Sequence, residues 1–216
     1  ASPMFTVSKK DGTLRSIADL REVNKRIRRK PYPIPKIQEL LHKLKGFQHV
    51  TSLDLNMGYY HIRLTPHASS ICTVILPWGK YEYLRLPMGL CNSPDIFQEK
   101  MNDLMEGLEF ARAYIDDLLI LSTGSFSNHL EHLDEVLTPL SASGLKINAS
   151  KSFFARTQLE YLGYWITRDG VKPLNKKVEA INNLAPPRNR TEVQKFIGFV
   201  NHDRDMWKNA LRSWLH

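Results

Sequence analysis

The sequence predicts an α+β protein in which helices cover one face of an antiparallel sheet. Segments with apolar residues at helical spacing interleave with runs that alternate with period two around turn residues, which is the pattern of such folds. No repeat or low-complexity segment interrupts that pattern, and 42% of the 216 residues are hydrophobic, enough for a sizeable core.

The elements follow in order. KKDGTLRSIADLREVN sets Asp11-Gly12 between strand formers, a hairpin signal. PYPIPKIQELLHKLKG places Ile37, Leu40, Leu41 and Leu44 at helical spacing, with Pro35 suited to the first turn and Gly46 to the end. HVTSLDLNMGYYHIRL reads as a strand ending at Asp54, where Asn56 and Gly58 make the chain turn. A second hairpin is expected at PWGK, between ICTVIL and YEYLRL. The next helix should open at Ser93 as cap, with Pro94 in the first position, and run through Phe97, Met101, Leu104, Met105 and Leu108. AYIDDLLIL is strand, turn, strand. Leu130, Leu133, Leu137 and Leu140 mark a third helix ended by Gly144, with Pro139 expected to kink or shorten its last turn. QLEYLGYWITRDGV reads as one more hairpin. Two short helices close the chain, one around Val178, Ile181 and Leu184, the other opening with a Thr191-to-Gln194 capping box after the stiff linker APPRNR. This arrangement would leave one sheet face free.

Charge narrows the partners. Thirty Lys and Arg against 22 Asp and Glu give a net charge of +8, and Lys25, Arg26, Arg28, Arg29 and Lys30 crowd one short segment. Such a balance suits nucleic acid or an anionic membrane surface, and equally an ordinary solvated basic face. Two cysteines, Cys72 and Cys91, lie in no CxxC pattern, which argues against a zinc site or a disulfide framework and for reduced thiols in an intracellular protein. No apolar run approaches the roughly 18 residues of a membrane span, and no signal-peptide pattern opens the chain. ASPMFTVSKKDG begins abruptly, as the interior of a longer protein would.

Asp116 and Asp117 sit in the run FARAYIDDLLILST, otherwise suited to a buried strand. Ionised carboxylates are costly to bury unless a cation meets them, so either the pair occupies a solvated hairpin turn or it awaits a metal. A strand ending at Asp54 beside that hairpin would bring Asp54 and Asp116 together. Carboxylates so placed raise one another's pKa, and Mg²⁺ suits such a site because it takes one or two carboxylates plus substrate phosphates. Adjacent strand residues face opposite ways, so Asp116 and Asp54 are the expected principal ligands and Asp117 the outer one.

Eight segments in order, KKDGTLRSIADLREVNKRI, PYPIPKIQELL, TSLDLNMGYYHI, GKYEYLRLPMGLCNSPDIFQEKM, AYIDDLLI, LKINASKSFF, LEYLGYWIT and FIGFV, make the chain resemble the reverse transcriptase of gypsy-type (Metaviridae-like) long-terminal-repeat retrotransposons, from about Phe5 to about Trp207. The resemblance implies a polymerase right-hand fold, an antiparallel palm sheet backed by helices with fingers and a partial thumb: 1–29 and 62–92 as fingers, 30–61 and 93–168 as palm, 169–216 as the start of a thumb. It implies RNA-directed DNA polymerase activity, also DNA-templated, by two-metal-ion nucleotidyl transfer. Asp54, Asp116 and Asp117 would hold Mg²⁺, with Mn²⁺ as a substitute.

Further roles are implied in the same way. Lys9 and Arg15 would grip the incoming deoxynucleoside triphosphate. The backbone of Asn56, Met57 and Gly58 would pass its phosphates, the ring of Tyr59 would block a 2′-hydroxyl, and Met88 would pack near base and sugar. Tyr59 can also be read as a core aromatic, with Tyr60 competing for that place. Tyr114, Leu162, Gly163 and Tyr164 are implied primer contacts, with Arg21 and the Lys25 to Lys30 cluster along the template. The implied partners are an RNA or DNA template with primer, dNTPs, no membrane, and ribonuclease H and integrase segments of one polyprotein. The implied location is intracellular, in a cytoplasmic virus-like particle or the nucleus. The match weakens at the end. Relatives commonly read NYYRDMW where His202 and Asp203 give NHDRDMW, and KNALRSWLH beyond Trp207 fits the family poorly. An incomplete or divergent thumb is therefore expected. A decayed or domesticated relative that binds nucleic acid without turnover is the alternative reading.

Overall fold

In a computed structural model, residues 1–8, 12–42, 44, 46–183 and 186–202 are described. Lys9, Leu184 and Asp203 lie outside them. The first hairpin forms as expected: β1 (Ser2–Ser8) pairs antiparallel with β2 (Leu14–Ala18), Phe5 opposite Ile17 and Val7 opposite Arg15. A single helical turn, α1 (Arg21–Asn24), and a short α2 (Ile37–His42) lead to β3 (His49–Asp54). A 3₁₀ turn (Gly58–His61) and α3 (Pro66–Ile71), which Thr65 caps by accepting the Ala68 N–H at 3.3 Å, precede the hairpin of β4 (Thr73–Leu76) and β5 (Gly79–Glu82). Sequence periodicity does not reveal α1 or α3, because each is too short to display a face.

The second half supplies α4 (Ser93–Leu104), β6 (Ala111–Tyr114), β7 (Asp117–Ser122), α5 (Phe126–Ala142) and β8 (Phe153–Arg156). A meander of β9 (Gln158–Tyr161), β10 (Tyr164–Thr167) and β11 (Gly170–Pro173) follows, then α6 (Asn175–Asn182) and α7 (Arg190–His202). Three sheets result, ordered β2-β1-β4-β5, β6-β7-β3-β8 and β11-β10-β9. The second is antiparallel throughout. In the first, β1 and β4 run parallel, a pairing between distant segments that no local signal encodes.

The central strands are buried on both sides. Leu53, Leu118 and Ile120 pack against Phe97 and Met101 of α4 and Leu133, Val136 and Leu140 of α5. Val50 and Leu119 pack the opposite way, against Leu41, Leu44, Phe47, Leu159, Tyr161, Tyr164 and Ile166. The expectation of a free sheet face is therefore wrong. The apolar run Leu118-Leu119-Ile120 is the signature of a strand covered on both faces, and QLEYLGYWITRDGV forms two hairpins rather than one so that the meander can lie across it.

Helix ends shift for local reasons. Asn92 holds the N-cap position of α4, one residue earlier than expected, and the helix stops at Leu104 instead of reaching Leu108. α5 is capped by Ser125, whose hydroxyl accepts the Asn128 N–H, and continues through Pro139 to Ala142. Pro139 still accepts the Ser143 N–H at 3.0 Å, so the last turn survives the missing donor. The capping box of α7 lies two residues earlier than expected. Asn189 accepts the Glu192 N–H at 2.9 Å, and Glu192 accepts the Arg188 N–H at 2.7 Å.

A buried polar network ties α5 to the central strands. Thr51 Oγ1 accepts the Ala155 N–H at 3.0 Å and lies 2.8 Å from His129 Nε2, whose other ring nitrogen, Nδ1, lies 2.7 Å from Ser122 Oγ. His129 is neutral here. Burial, then the neighbouring His49 and His132, hold its pKa at about 4. Because the folded pKa lies below the unfolded value, the contribution is complete above pH 6.5 and is lost as pH falls toward 4. Comparing urea unfolding of the wild type and His129→Gln across that window, the stability advantage of the wild type should shrink by up to roughly 3 kcal/mol. A constant difference would contradict a neutral buried imidazole.

Candidate active site

The register of β3 on β7 places Asp54 directly opposite Asp117, and that of β6 on β7 places Tyr114 opposite Asp117. Ile115 and Asp116 form the two-residue turn between β6 and β7. Ile115 has φ 53°, costly for a β-branched residue. A positive φ at the first central residue alone is the pattern of a type II′ turn, whose twist suits a tight hairpin. The Asp116 carbonyl accepts the Leu55 N–H at 2.9 Å, tying the turn to the chain leaving Asp54. Asp54 is fixed from the other side: its N–H donates to Ser152 Oγ at 3.1 Å, and its carbonyl accepts the Asn148 N–H at 2.8 Å.

The three carboxylates share one end of the sheet at an electrostatic cost. Burial, then the charges of Asp117 and Asp54, push Asp116 up to about 6. Its Oδ1 is buried without a hydrogen-bond partner among the described residues. Burial and Asp54 also raise Asp117, opposed by Lys151, whose Nζ lies 3.9 Å from Asp54 Oδ2. Among the described residues, no group of three His, Cys, Asp or Glu side chains is arranged to hold a metal ion. In register Asp54 faces Asp117, and Asp116 sits in the adjoining turn, near enough that both charges act on its carboxylate.

Gly58 explains how Asp116 is accommodated. A Cβ on Gly58 would lie 2.5 Å from Phe97 Cζ and 2.8 Å from Asp116 Oδ1. Glycine is needed here for close packing, and its φ is not left-handed. Tyr59 is the packed aromatic of its pair, its ring centroid 5.2 Å from that of Phe97. Burial and then Asp116 raise its hydroxyl to about 12. Tyr60 instead stacks on Tyr83. Asn56 and Met57 are exposed, Met57 with φ 53°, and Met88 packs partly buried against the main core.

Other sequence-derived candidates divide. Arg15 is exposed on β2. Arg21 is also exposed, and its guanidinium holds Asp19 with contacts of 2.8 and 2.6 Å. Leu162 and Gly163, both with positive φ, form the β9–β10 turn. Tyr164 is buried in the second core cluster. It is buried while the next residue, Trp165, is partly exposed.

Several residues escaped the sequence reading. Asp95 is buried and receives Arg29 Nε at 3.0 Å and the Tyr32 N–H at 3.0 Å, joining the basic segment to α4. Arg29 first, with the Tyr32 N–H assisting against burial, keeps its pKa low. Lys151 and Ser152 lie in LKINASKSFF, a motif quoted above without roles. Gln98 sits one residue after Phe97 and three before Met101, a spacing that places a polar side chain on the inner face of α4 and could have drawn attention to it.

A family model described as reverse transcriptase (RNA-dependent DNA polymerase) matches residues 7–166. The chain belongs to that family. It is 34% identical over 206 residues to the transposon Tf2-3 polyprotein of Schizosaccharomyces pombe, covering 94% of this chain and 15% of that polyprotein. It is 35% identical over 210 residues to a retrovirus-related Pol polyprotein from transposon opus of Drosophila melanogaster, covering 94% of this chain and 21% of that protein. The gypsy-type retrotransposon resemblance agrees with these relatives, of which the chain spans only a small part. Among solved structures, it superposes on a foamy viral protease-reverse transcriptase in complex with double-stranded DNA with a TM-score of 0.85 at 28% identity, covering 94% of this chain and 36% of that one. The same viral protein in complex with an RNA/DNA hybrid gives a TM-score of 0.80 at 28% identity, covering 94% and 27%. The fold is that of a reverse transcriptase.

In this reverse transcriptase domain the oxygen donors of the three aspartates, with one buried oxygen of Asp116 left unpartnered, suit a hard divalent cation. The electrostatic cost is measurable. With its folded pKa raised from 3.8 to about 6, Asp116 penalises the fold increasingly as pH rises through 6. Asp116→Asn should therefore melt higher than the wild type above that pH, by about 1–2 kcal/mol after allowance for solvent screening, and the gain should vanish near pH 4. A variant less stable at high pH would contradict this.

Proposed function

We propose that the domain is an RNA-directed DNA polymerase, also able to copy DNA, that transfers nucleotides from dNTPs to a primer 3′-hydroxyl. The single observation that carries the reading is the Asp116 carboxylate, one oxygen of which is buried without a partner among the described residues, beside the Asp54 and Asp117 pair, since a bound cation offsets such a cluster of carboxylates. Reverse transcriptases depend generally on divalent metal. Asp54, Asp116 and Asp117 would hold Mg²⁺, or Mn²⁺, and the bound metal supplies activation of the 3′-hydroxyl and neutralisation of triphosphate charge.

The chain's own residues bind and orient. Arg15, with Lys9, grips the triphosphate, and the backbone of residues 56–58 lines its path. The rigid Tyr59 ring, locked by Phe97, excludes a 2′-hydroxyl, and Met88 packs against base and sugar. Tyr114 and the Leu162-Gly163 turn contact the primer. Arg21 and the basic segment contact the template strand through its phosphates, an affinity that weakens with salt. The fingers, 1–29 and 62–92, contain the β2-β1-β4-β5 sheet, and the palm, 30–61 and 93–168, contains the β6-β7-β3-β8 sheet. The remainder begins the thumb, although the meander continues past that boundary to Pro173. We place the domain within a polyprotein that also carries ribonuclease H and integrase segments, acting in a cytoplasmic virus-like particle or the nucleus. No helix among the described residues is long and apolar enough to cross a membrane.

The test is primer extension on RNA and DNA templates with Mg²⁺ or Mn²⁺, comparing the wild type with Asp116→Asn and Tyr59→Ala. Extension should require metal, favour deoxynucleotides and fall by at least about 10³-fold in Asp116→Asn. Tyr59→Ala should relax sugar discrimination. Salt-sensitive binding of primer-template without extension by the wild type would sink the polymerase reading in favour of a binding module.

A further inference from the structure

The side chain of Gln98 is fully buried in α4, and its amide spans the start of the catalytic hairpin turn. Oε1 accepts the Ile115 N–H at 2.8 Å, and Nε2 donates to the Ala113 carbonyl at 3.0 Å. Nε2 also donates to Asn102 Oδ1 at 2.9 Å, while Asn102 Nδ2 reaches the Tyr32 hydroxyl at 2.9 Å. The orientation of the Gln98 amide is thereby determined: a backbone N–H meets its oxygen, and two acceptors meet its nitrogen.

Building on the polymerase reading, we propose that Gln98 is a positioning residue that holds the Ile115-Asp116 turn in the geometry presenting Asp116. Ile115 adopts φ 53°, a conformation that a β-branched residue leaves unless its surroundings enforce it. A hydrogen bond to the Ile115 N–H and another to the Ala113 carbonyl bracket Tyr114 and leave the strand little freedom to re-register. The preceding residue, Phe97, presses on the opposite wall of the same site, against Gly58 and Tyr59. Two consecutive residues of one helix thus fix both loops that carry the site, 55–59 and 115–116. α4 is itself anchored to the segment of residues 29–32 through Asp95, Arg29 and Tyr32. No other amide length serves: the side chain of a Gln98→Asn variant, one methylene shorter, would fall short of the turn, and an apolar residue would strand a buried N–H.

The test compares the wild type with Gln98→Met, which keeps the volume but not the hydrogen bonds, and Gln98→Glu, which keeps the acceptor for Ile115. Met101→Ala, a cavity in the same helix away from the turn, controls for general destabilisation. In Gln98→Met the Ile115 amide should exchange about tenfold faster while amides of Leu118 to Ile120 keep their protection. Its kcat should fall at least about tenfold with dNTP KM and primer-template Kd nearly unchanged. Gln98→Glu should recover much of the Ile115 protection, and Met101→Ala should lower Tm without moving either readout. Unchanged Ile115 exchange in Gln98→Met, or an equal kcat loss in Met101→Ala, would overturn the proposal. Exchange does not depend on turnover, so a chain that extends no primer would defeat the polymerase reading while Ile115 protection still decides the role of Gln98.

Discussion

The apposition of Asp54 and Asp117 across β3 and β7, with Asp116 in the adjoining turn, is the constraint around which this domain is built. Two carboxylates in register on neighbouring strands repel each other, and a third nearby compounds the cost. The strands tolerate this because they are the best-buried part of the molecule. Val50, Leu53, Leu118, Leu119 and Ile120 are fully inaccessible to solvent, and α4 and α5 on one side with the meander on the other supply the hydrophobic stabilisation. The carboxylates are confined to the last residue of one strand and the first of the other, so no further carboxylate lies in the ladder behind them.

The loops around the carboxylates are held by specific contacts rather than by bulk packing. Ser152 and Asn148 clamp the Asp54 backbone, the Asp116 carbonyl ties to Leu55, and Gln98 brackets the turn. Gly58 leaves room for Phe97 and the Asp116 carboxylate to meet. These contacts join segments distant in sequence: the loop after β3, α4, the β6–β7 turn and the approach to β8. The site is therefore rigid only when the whole palm is assembled, as a constellation that must hold its geometry requires.

Much of this was legible in the sequence. The β1–β2 hairpin, the PWGK turn and the strand, turn, strand of AYIDDLLIL follow from local chemistry, and each forms. Asp54, Asp116 and Asp117 stood out because carboxylates in apolar runs are costly. What failed was non-local. The meander covering the second sheet face and the parallel β1–β4 pair depend on segments that meet only after folding. The packing role of Gly58 was hidden for the same reason: nothing near it in sequence shows that Phe97 and Asp116 close in. Gln98 and Asp95 were hidden as ordinary polar residues of an amphipathic helix, although the spacing of Gln98 from Met101 would place it inward.

The measurement that bears most directly on the central claim is thermal melting of the wild type and Asp116→Asn at pH 8 over a titration of Mg²⁺ and of Mn²⁺, with and without primer-template. A site held together against carboxylate repulsion should gain stability when a divalent cation binds the folded state. The wild-type Tm should rise through the millimolar range, more steeply with primer-template, and the response of Asp116→Asn should be much weaker. A wild-type Tm that stays flat in both metals and both conditions would contradict the proposal that a divalent cation binds at these three aspartates.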